Sequence, residues 1–388
     1  MAQRRVVRII KIELALGLVL LGLWGWVALP PSAVGQIVDA VRNVVGPEPI
    51  AFAEDVFYSA MDSVQQVLAS HNLLGSASPA AAVVIPSSNR GNAPVPIQPN
   101  FALRPEESAP RQGTSPAPNE ATAGDGIWTP IPNSFDPGAA PLMYKTLLHP
   151  DRARAYAQVA VVAMDATRLR LHVVAGTSEP ESPVRVSRPG LIPTSDRSGL
   201  VATFNGGFKA IHGNHGMMVN GQMILAPKRD SDTIALYRDG TVRIAPWSII
   251  SNTLPLMQSF RQTPPYLVMK GQANPDLQKE QIFSWGKSIS GKVAIWRSAL
   301  GISADGRTLY YAAGEALTAQ TLAQSLVAAG ASDVAELDVN WSFERFLIYA
   351  PLAGKWTERV LLDAMVYQPG IYVSRPSAKD FFYVTLVK

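Results

Sequence analysis

The chain of 388 residues contains no cysteine, and only 16% of its residues are charged. The lack of cysteine agrees with an exported protein that avoids unwanted disulfides, although it does not by itself separate one compartment from another. The net charge is +4, and residues 1–13 carry four basic side chains against one acidic one, which is +3 of that total. The remainder is nearly neutral, which excludes the clustered basic surface that nucleic-acid binding requires.

Several catalytic and nucleotide-binding motifs are also missing. The sequence has no GxSxG nucleophile elbow, no P-loop and no GxGxxG dinucleotide fingerprint. These motifs place a nucleophile or a phosphate at the start of a helix, so their absence argues against serine hydrolase chemistry and nucleotide binding. We therefore expect no cofactor.

Residues 1–35 have the order of a signal sequence or a membrane anchor. A positive segment is followed by an uncharged apolar run from Leu14 to Leu29, which approaches the roughly 20 residues that span a bilayer. A cleaved signal peptide remains open, but the nearest small-residue site, ending at Ala33, fits poorly, whereas Trp24 and Trp26 suit the interfacial belt of an uncleaved anchor. Both interpretations place the rest of the chain outside the cytoplasm, in a periplasmic or extracellular location.

Two segments separate this anchor from the main domain. Residues 36–75 contain two apolar-periodic stretches that predict short amphipathic helices. These helices pack on each other or on the membrane surface in one interpretation and bind a partner in the other. Residues 76–125 are rich in proline, serine and alanine, a composition that predicts a disordered linker because it buries too little apolar surface to fold.

Residues 126–388 have the pattern of an α+β domain with a largely antiparallel or mixed sheet and a few packed helices. The apolar segment from Tyr156 to Met164 predicts a buried strand. A helix is predicted to begin after the N-cap Thr318 and to end at Gly330. Turn pairs flanked by strand-forming residues predict three hairpins, at Asn220-Gly221, Asp239-Gly240 and Asp305-Gly306.

Glycines and histidines follow a predicted strand that ends near Phe204. The turn Asn205-Gly206-Gly207 is either a cradle in which the backbone receives a phosphate or sugar hydroxyls, or an ordinary turn between strands. His212 and His215 are separated by two residues in a glycine-rich loop that offers no cysteine or HExxH partner, so metal binding is the minor interpretation. A proton donor or phosphate ligand is the better one, and a histidine without a catalytic role stays open.

Residues 335–346 follow the predicted helix and alternate between apolar and polar side chains. A strand here would place Glu336, Asp338 and Asn340 on one face, which is either solvent-exposed or a site. The apolar neighbours of Asp338 favour a site. Cleavage of an acetal commonly uses two carboxylates, and the spacing of Glu336 and Asp338 does not decide between retention and inversion.

Four further residues complete the set of candidates. Arg297 has a planar guanidinium that can clamp a phosphodiester anion, unless it is a surface arginine. Glu315 precedes the predicted helix and is either catalytic or favourable to the helix N-terminus. Ser298 and Thr318 are included among the substrate-binding candidates.

The order of these segments resembles the phosphodiester glycosidase family, the family of the uncovering enzyme, over roughly residues 126–388. The turn Asn205-Gly206-Gly207, the hairpins and the pair Leu337-Asp338 after the helix carry the resemblance. It implies hydrolysis of the glycosidic bond of a sugar-1-phosphodiester, with Asp338 as acid/base or nucleophile and Glu336 or Glu315 as its partner. Many members continue with Asp-Gly-Gly-Gly-Ser, whereas this chain has bulkier residues at 339–341.

Three hypotheses follow for the function. The first is a membrane-tethered hydrolase that acts on a carbohydrate or glycopolymer phosphodiester of the cell envelope. The second is a non-catalytic glycan-binding or envelope-assembly protein that keeps the fold, motivated by the missing glycine loop. The third and weakest is a metal-dependent phosphodiesterase that uses His212 and His215.

Overall fold

The computed structural model describes residues 63–68, 125–151, 154, 156–278, 285, 294–339, 343–352 and 355–387. The predicted anchor and most of the predicted linker lie outside these residues. Of the predicted helical region 36–75, residues 63–68 are described and are helical. No helix in the described ranges is long and apolar enough to cross a membrane.

Apart from the helical residues 63–68, the described residues form eighteen strands and three α-helices, with short 3₁₀ turns between some of them. The first strands are β1 Thr129–Ile131, β2 Met143–Leu148, β3 Gln158–Asp165, β4 Leu169–Val174, β5 Leu200–Asn205, β6 Met217–Val219, β7 Gln222–Leu225, β8 Asp232–Tyr237 and β9 Val242–Pro246. The remaining strands are β10 Met257–Thr263, β11 Val268–Met269, β12 Gln272–Ala273, β13 Ile295–Ile302, β14 Thr308–Leu317, β15 Asp333–Glu336, β16 Phe346–Leu352, β17 Lys355–Val360 and β18 Phe381–Leu386. The helices are α1 Thr194–Arg197, α2 Trp247–Ile250 and α3 Ala319–Ala329.

The strands form three sheets in which all paired strands are antiparallel. The first sheet has the order β1-β2-β3-β14-β13-β15-β11-β12, the second β7-β6-β10-β8-β9 and the third β17-β16-β5-β18-β4. The three predicted hairpins are confirmed as β6–β7, β8–β9 and β13–β14. The predicted largely antiparallel sheet is therefore confirmed, and the fold is dominated by sheets with few helices.

One central core joins the three sheets. Val162 of the first sheet, Ile234 of the second and Phe204 of the third are fully buried in the same apolar cluster. This cluster holds the edges of the sheets together because it removes apolar surface of all three from water. Phe204, Phe346 and Phe382, through which β5, β16 and β18 pair, are all fully buried in this cluster.

Helix α3 covers the opposite face of the first sheet, and its ends follow the predicted signals. Thr318 accepts a hydrogen bond from the Thr321 N–H, and the Thr321 hydroxyl accepts one from the Thr318 N–H, which is a reciprocal capping box. Gly330 ends the helix with a φ of 110°, a conformation that favours glycine. Leu322 and Leu326 are buried in a second apolar cluster against this face.

The strand predicted over residues 335–346 is shorter than expected. Strand β15 ends at Glu336, where its pairing with Ala299 of β13 ends. The Asp338 N–H then donates to the Gly206 carbonyl, so the chain crosses from the first sheet to the third instead of continuing along β13. The predicted strand beyond Glu336 is therefore wrong, and Asn340, the third residue of the predicted face, lies outside the described residues.

Candidate active site

The candidate site lies where the ends of several strands converge. Strand β5 ends at Asn205, which is paired with Phe381 at the start of β18. Strand β16 begins beside it, with Phe346 paired to Phe204. The segment after β15 brings Asp338 to the same place, next to Ser298 of β13. Three of the predicted site residues, Asn205, Ser298 and Asp338, are thus brought together.

A buried hydrogen-bond network fixes Asn205 and Ser298. The Asn205 side chain donates to the Ser298 hydroxyl at 2.9 Å and accepts from the Tyr311 hydroxyl at 2.8 Å. The Ser298 hydroxyl donates to the Asp338 carbonyl at 2.9 Å. Because the Asp338 N–H is also bonded to Gly206, the backbone of Asp338 is fixed on both sides.

The Asp338 carboxylate is paired with a cation that the sequence did not indicate. Its Oδ2 contacts Nζ of Lys379, and the side chains of both residues are more than nine-tenths buried. Lys379 lies 4.2 Å from the ring centroid of Phe343, and Lys209 lies 5.8 Å from the same centroid. Both lysines therefore lie near the Phe343 ring, and Lys379 also contacts Asp338.

The absence of side chains at Gly206 and Gly207 leaves space that other residues of this protein occupy. The Gly206 N–H donates to the Asp380 carbonyl at 3.1 Å and the Gly207 N–H to Asp380 Oδ2 at 2.9 Å. A Cβ at Gly206 would overlap Asp380, and one at Gly207 would lie 3.0 Å from the Arg261 guanidinium. The close approach that the glycines were predicted to allow is made by Asp380 and Arg261, and contact of this turn with substrate stays a prediction.

Arg261 and Asp380 form a buried ion pair behind this turn. Arg261 Nε donates to Asp380 Oδ2 at 2.8 Å, and the two side chains are 0% and 1% exposed. The other guanidinium nitrogens donate to the carbonyls of Phe208, His215 and Gln262, and Nη2 also donates to Asp380 Oδ1 at 3.3 Å. The pair therefore holds the loop after β5 against β10 and the start of β18.

The two histidines of this loop have separate environments. His215 is buried, and its Nδ1 lies 2.9 Å from the Ser231 hydroxyl. Burial, with the nearby charges of Arg261 and Lys228, lowers the pKa of His215 to about 3. His212 ends the 3₁₀ turn Ala210–His212. No group of three or more potential metal ligands occurs in the part of the chain that the structure describes.

Arg297 is neither a surface arginine nor directed at an open site. Its Nη1 donates to Glu336 Oε1 at 2.6 Å and to the Trp285 carbonyl, and its Nε donates to the Leu317 carbonyl. Arg297 and Glu336 are 1% and 0% exposed. The predicted role of Arg297 as a phosphate clamp is therefore corrected: its guanidinium is held inside the protein by Glu336 and two carbonyl groups.

A third carboxyl, that of Glu344, belongs to this cluster. Glu344 is fully buried, and burial raises its pKa well above the usual value, with Arg297 opposing the shift and Glu336 adding to it. Burial also raises the pKa of Glu336 to about 7, against the effect of Arg297. No motif in the sequence marks Glu344, so it was not among the predicted site residues.

The contacts of Glu315 and Thr318 are made outside this cluster. Glu315 is exposed on β14, opposite Gln158 of β3. Thr318 uses its hydroxyl to cap α3. Among the described residues, no hydrogen bond or ion pair joins Glu315 to Asp338 or Glu336. Its predicted catalytic role has no contact that supports it.

The comparisons with known proteins agree with part of this description. Residues 198–338 match the family model described as phosphodiester glycosidase. No curated protein matches the chain. Among solved structures, the chain is similar to the zebrafish N-acetylglucosamine-1-phosphodiester alpha-N-acetylglucosaminidase catalytic domain auto-inhibited by its pro-peptide, with 13% identity and a TM-score of 0.41 over 69% of this chain and 89% of that one. It is also similar to a hypothetical protein from Synechocystis, with 12% identity and a TM-score of 0.37 over 60% of this chain and 59% of that one.

The matched segment contains Asn205 of the turn, Ser298 of β13 and Asp338 at its last position. Glu344, Lys379 and the strand β18 lie beyond it. Over residues 198–338, the chain matches the phosphodiester glycosidase family, as the resemblance predicted.

Proposed function

We propose that the protein hydrolyses the glycosidic bond of a sugar-1-phosphodiester. The observation that carries this proposal is the placement of Asp338: its backbone is fixed by Gly206 and Ser298, and its carboxylate is paired with Lys379. A carboxylate held in a fixed position can act as acid/base or nucleophile at an anomeric carbon. In our assignment Asp338 is that carboxylate.

The substrate's negative charge needs a cationic partner other than Arg297. Lys379 and Lys209 both lie near the Phe343 ring, Lys379 also contacts Asp338, and ammonium groups are common phosphate ligands. We therefore assign the phosphodiester group to these two lysines. A substrate anion that takes Lys379 would release the Asp338 carboxylate for the reaction, because one ammonium group cannot fully serve both anions.

The second carboxyl comes from the buried cluster. Glu336 remains a candidate partner of Asp338, since it lies two residues before Asp338 in the sequence and burial raises its pKa. Glu315 is exposed on β14, and solvent would compete with substrate for its proton. We therefore prefer the Glu336 cluster over Glu315.

A non-catalytic glycan-binding protein is the second candidate. Two observations favour it: the Asp338 carboxylate is already paired with Lys379, and the glycine turn is filled by Asp380 and Arg261. Such a protein would bind a glycopolymer phosphodiester without turnover.

The test uses the purified full chain with a panel of sugar-1-phosphodiesters, including that of N-acetylglucosamine, and follows free sugar and phosphomonoester by NMR. Asp338→Asn keeps the size of the side chain and removes its charge. Asp239→Asn is the matched control, because Asp239 lies in an exposed hairpin turn. Release of sugar by the parent and the control, but not by Asp338→Asn, supports hydrolysis. Binding without release across the panel favours the second candidate.

We also propose that residues 1–35 anchor the protein in a membrane with residues 126–388 outside the cytoplasm, where an envelope glycopolymer would be its substrate. The apolar run and the positive segment before it support this location. Fractionation of cells that express the full chain, followed by protease treatment of intact cells or spheroplasts, tests it. Recovery in the soluble cytoplasmic fraction would contradict the anchor.

A further inference from the structure

Tyr311 carries a hydroxyl group that the packing of its ring does not require. The ring belongs to the central apolar cluster, and its centroid lies 5.1 Å from that of Phe204 and 5.0 Å from that of Phe346. A phenylalanine ring would fill the same space, and a buried hydroxyl is costly unless it is hydrogen-bonded. The side chain is fully buried, so it lies out of reach of substrate. The hydroxyl therefore acts on other residues of the protein.

The Tyr311 hydroxyl begins a chain of three hydrogen bonds that ends at Asp338. It donates to Asn205 Oδ1 at 2.8 Å, and Asn205 Nδ2 donates to the Ser298 hydroxyl at 2.9 Å. The Ser298 hydroxyl donates to the Asp338 carbonyl at 2.9 Å. All four residues are at most 3% exposed. Each group accepts one bond and donates the next, so the three bonds strengthen one another.

The short bonds in this chain decide which way the Asn205 amide faces. Its other contacts, with the Arg345 N–H and the Gly206 carbonyl, are both longer, at 3.4 Å. Burial, with a smaller effect of Glu344, raises the pKa of the Tyr311 hydroxyl well above its usual value. The hydroxyl therefore keeps its proton and remains a donor to Asn205.

Removal of this hydroxyl would leave the orientation of the Asn205 amide to its two long contacts. In the opposite orientation, Asn205 Oδ1 would face Ser298 and accept the serine proton. The Asp338 carbonyl would then lose its hydrogen bond. Of the two bonds that fix the backbone of Asp338, the one from its N–H to the Gly206 carbonyl would remain.

We propose that Tyr311 is a positioning residue that holds Asp338 in its reactive position through Asn205 and Ser298. This role rests on the proposed hydrolysis, in which Asp338 is the reacting carboxylate. Tyr311 transfers no proton and contacts no substrate. Its effect is on the placement of Asp338, and groups that orient a metal ligand or a reacting group contribute about 10–10²-fold to activity.

The first test does not depend on activity. Amide hydrogen exchange of the purified full chain, followed by NMR, compares the Asp338 N–H with the Ile234 N–H in β8, a strand paired on both sides. The ratio of the two rates cancels any change in global stability. We expect this ratio to rise about fivefold in Tyr311→Phe, which is the effect of losing about one hydrogen bond. Ser298→Ala, which removes the last link of the chain, should raise the ratio similarly.

Tyr310→Phe is the matched control. Tyr310 is the preceding residue of β14, is equally buried, and packs in the second apolar cluster on the opposite face of the sheet. In the described part of the chain, no hydrogen bond joins its hydroxyl to the residues of this network. The ratio should therefore stay at the parent value in Tyr310→Phe. An unchanged ratio in Tyr311→Phe, or equal rises in the two tyrosine variants, would overturn the proposal.

The second test measures kcat and KM for the sugar-1-phosphodiester that the parent hydrolyses fastest. Tyr311→Phe should lower kcat about 10–10²-fold and leave KM unchanged, because the hydroxyl does not touch substrate. In a Ser298→Ala background, the same substitution should cause no further loss of kcat, because the chain is already broken. A merely structural role of Tyr311 would give equal losses in both backgrounds.

Equal losses in both backgrounds, or an unchanged kcat in Tyr311→Phe, would overturn the positioning role. If the parent hydrolyses no phosphodiester, the proposed function fails. The exchange ratio would then still decide whether Tyr311 holds Asp338 in place.

Discussion

The ion pair between Arg261 and Asp380 leads to the strongest prediction about stability. We replace Asp380 with asparagine, which keeps the size of the side chain and removes its charge. The two side chains are 0% and 1% exposed and meet at 2.8 Å. Asp380 also accepts the Gly207 N–H, so the substitution weakens support for the turn and leaves a buried guanidinium without its counter-charge.

The expected loss follows from the burial of that guanidinium. Removing one partner of a buried ion pair costs about 3–5 kcal/mol, because the remaining charge has neither water nor a counter-ion. The loss is much of the total stability of a typical domain, which is about 5–15 kcal/mol. The double variant Arg261→Met/Asp380→Leu should be more stable than Asp380→Asn, because it removes both charges and keeps apolar volume.

Urea unfolding of the parent, Asp380→Asn and the double variant, followed by tryptophan fluorescence, measures these differences. Asp239→Asn serves as the surface control, and its unfolding free energy should change by no more than about 0.5 kcal/mol. A loss below about 1 kcal/mol in Asp380→Asn would refute our description of this pair as a buried support. A double variant less stable than Asp380→Asn would refute the argument about the unpaired charge.

Three further predictions concern the cap of α3, the glycine turn and His215. Thr318→Ala should lower the unfolding free energy by about 1 kcal/mol, because it removes the capping box of α3, and differential scanning calorimetry measures this loss. Gly206→Ala should greatly reduce the yield of folded protein because its Cβ would overlap Asp380, whereas Gly138→Ala, where the nearest atom is 3.6 Å away, should express like the parent; similar yields would contradict the packing of the turn. Burial lowers the pKa of His215 to about 3, so the neutral form stabilises the native state above about pH 6.5, and this contribution is lost as pH falls towards 3. The decrease in melting temperature over that range should therefore be smaller in His215→Gln than in the parent. His172, whose pKa is lowered to about 4, accounts for part of the decrease that remains. An unchanged decrease would exclude His215 as a source of this loss of stability.

Local signals in the sequence were sufficient for the hairpins and for α3. Each depends on a few adjacent residues, such as Asn220-Gly221 or the Thr318 cap, whose backbone preferences act without distant partners. Strand β15 was predicted too long because its end depends on where its pairing with β13 stops. The alternation of apolar and polar side chains does not specify the residue at which this pairing ends.

The partners of the site residues could not be predicted because they come from distant parts of the chain. Asp380 is 119 residues from Arg261 and 173 from Gly207, and Arg297 is 39 residues from Glu336. The charged pair Lys379-Asp380 stands directly before the apolar run of β18 and is a local signal that could have marked this position. Asn205 and Asp338 were found because a glycine turn follows Asn205, apolar residues surround Asp338 in the sequence, and the family resemblance marks both.

The central claim is that Asp338 cleaves the glycosidic bond of a sugar-1-phosphodiester. The most direct measurement is the NMR time course of the parent and Asp338→Asn with the panel of sugar-1-phosphodiesters, at matched concentrations of folded protein. We predict that the parent releases free sugar and phosphomonoester in equal amounts and that Asp338→Asn releases neither. Equal rates of release in the two proteins, or no release by the parent from any member of the panel, would contradict the claim.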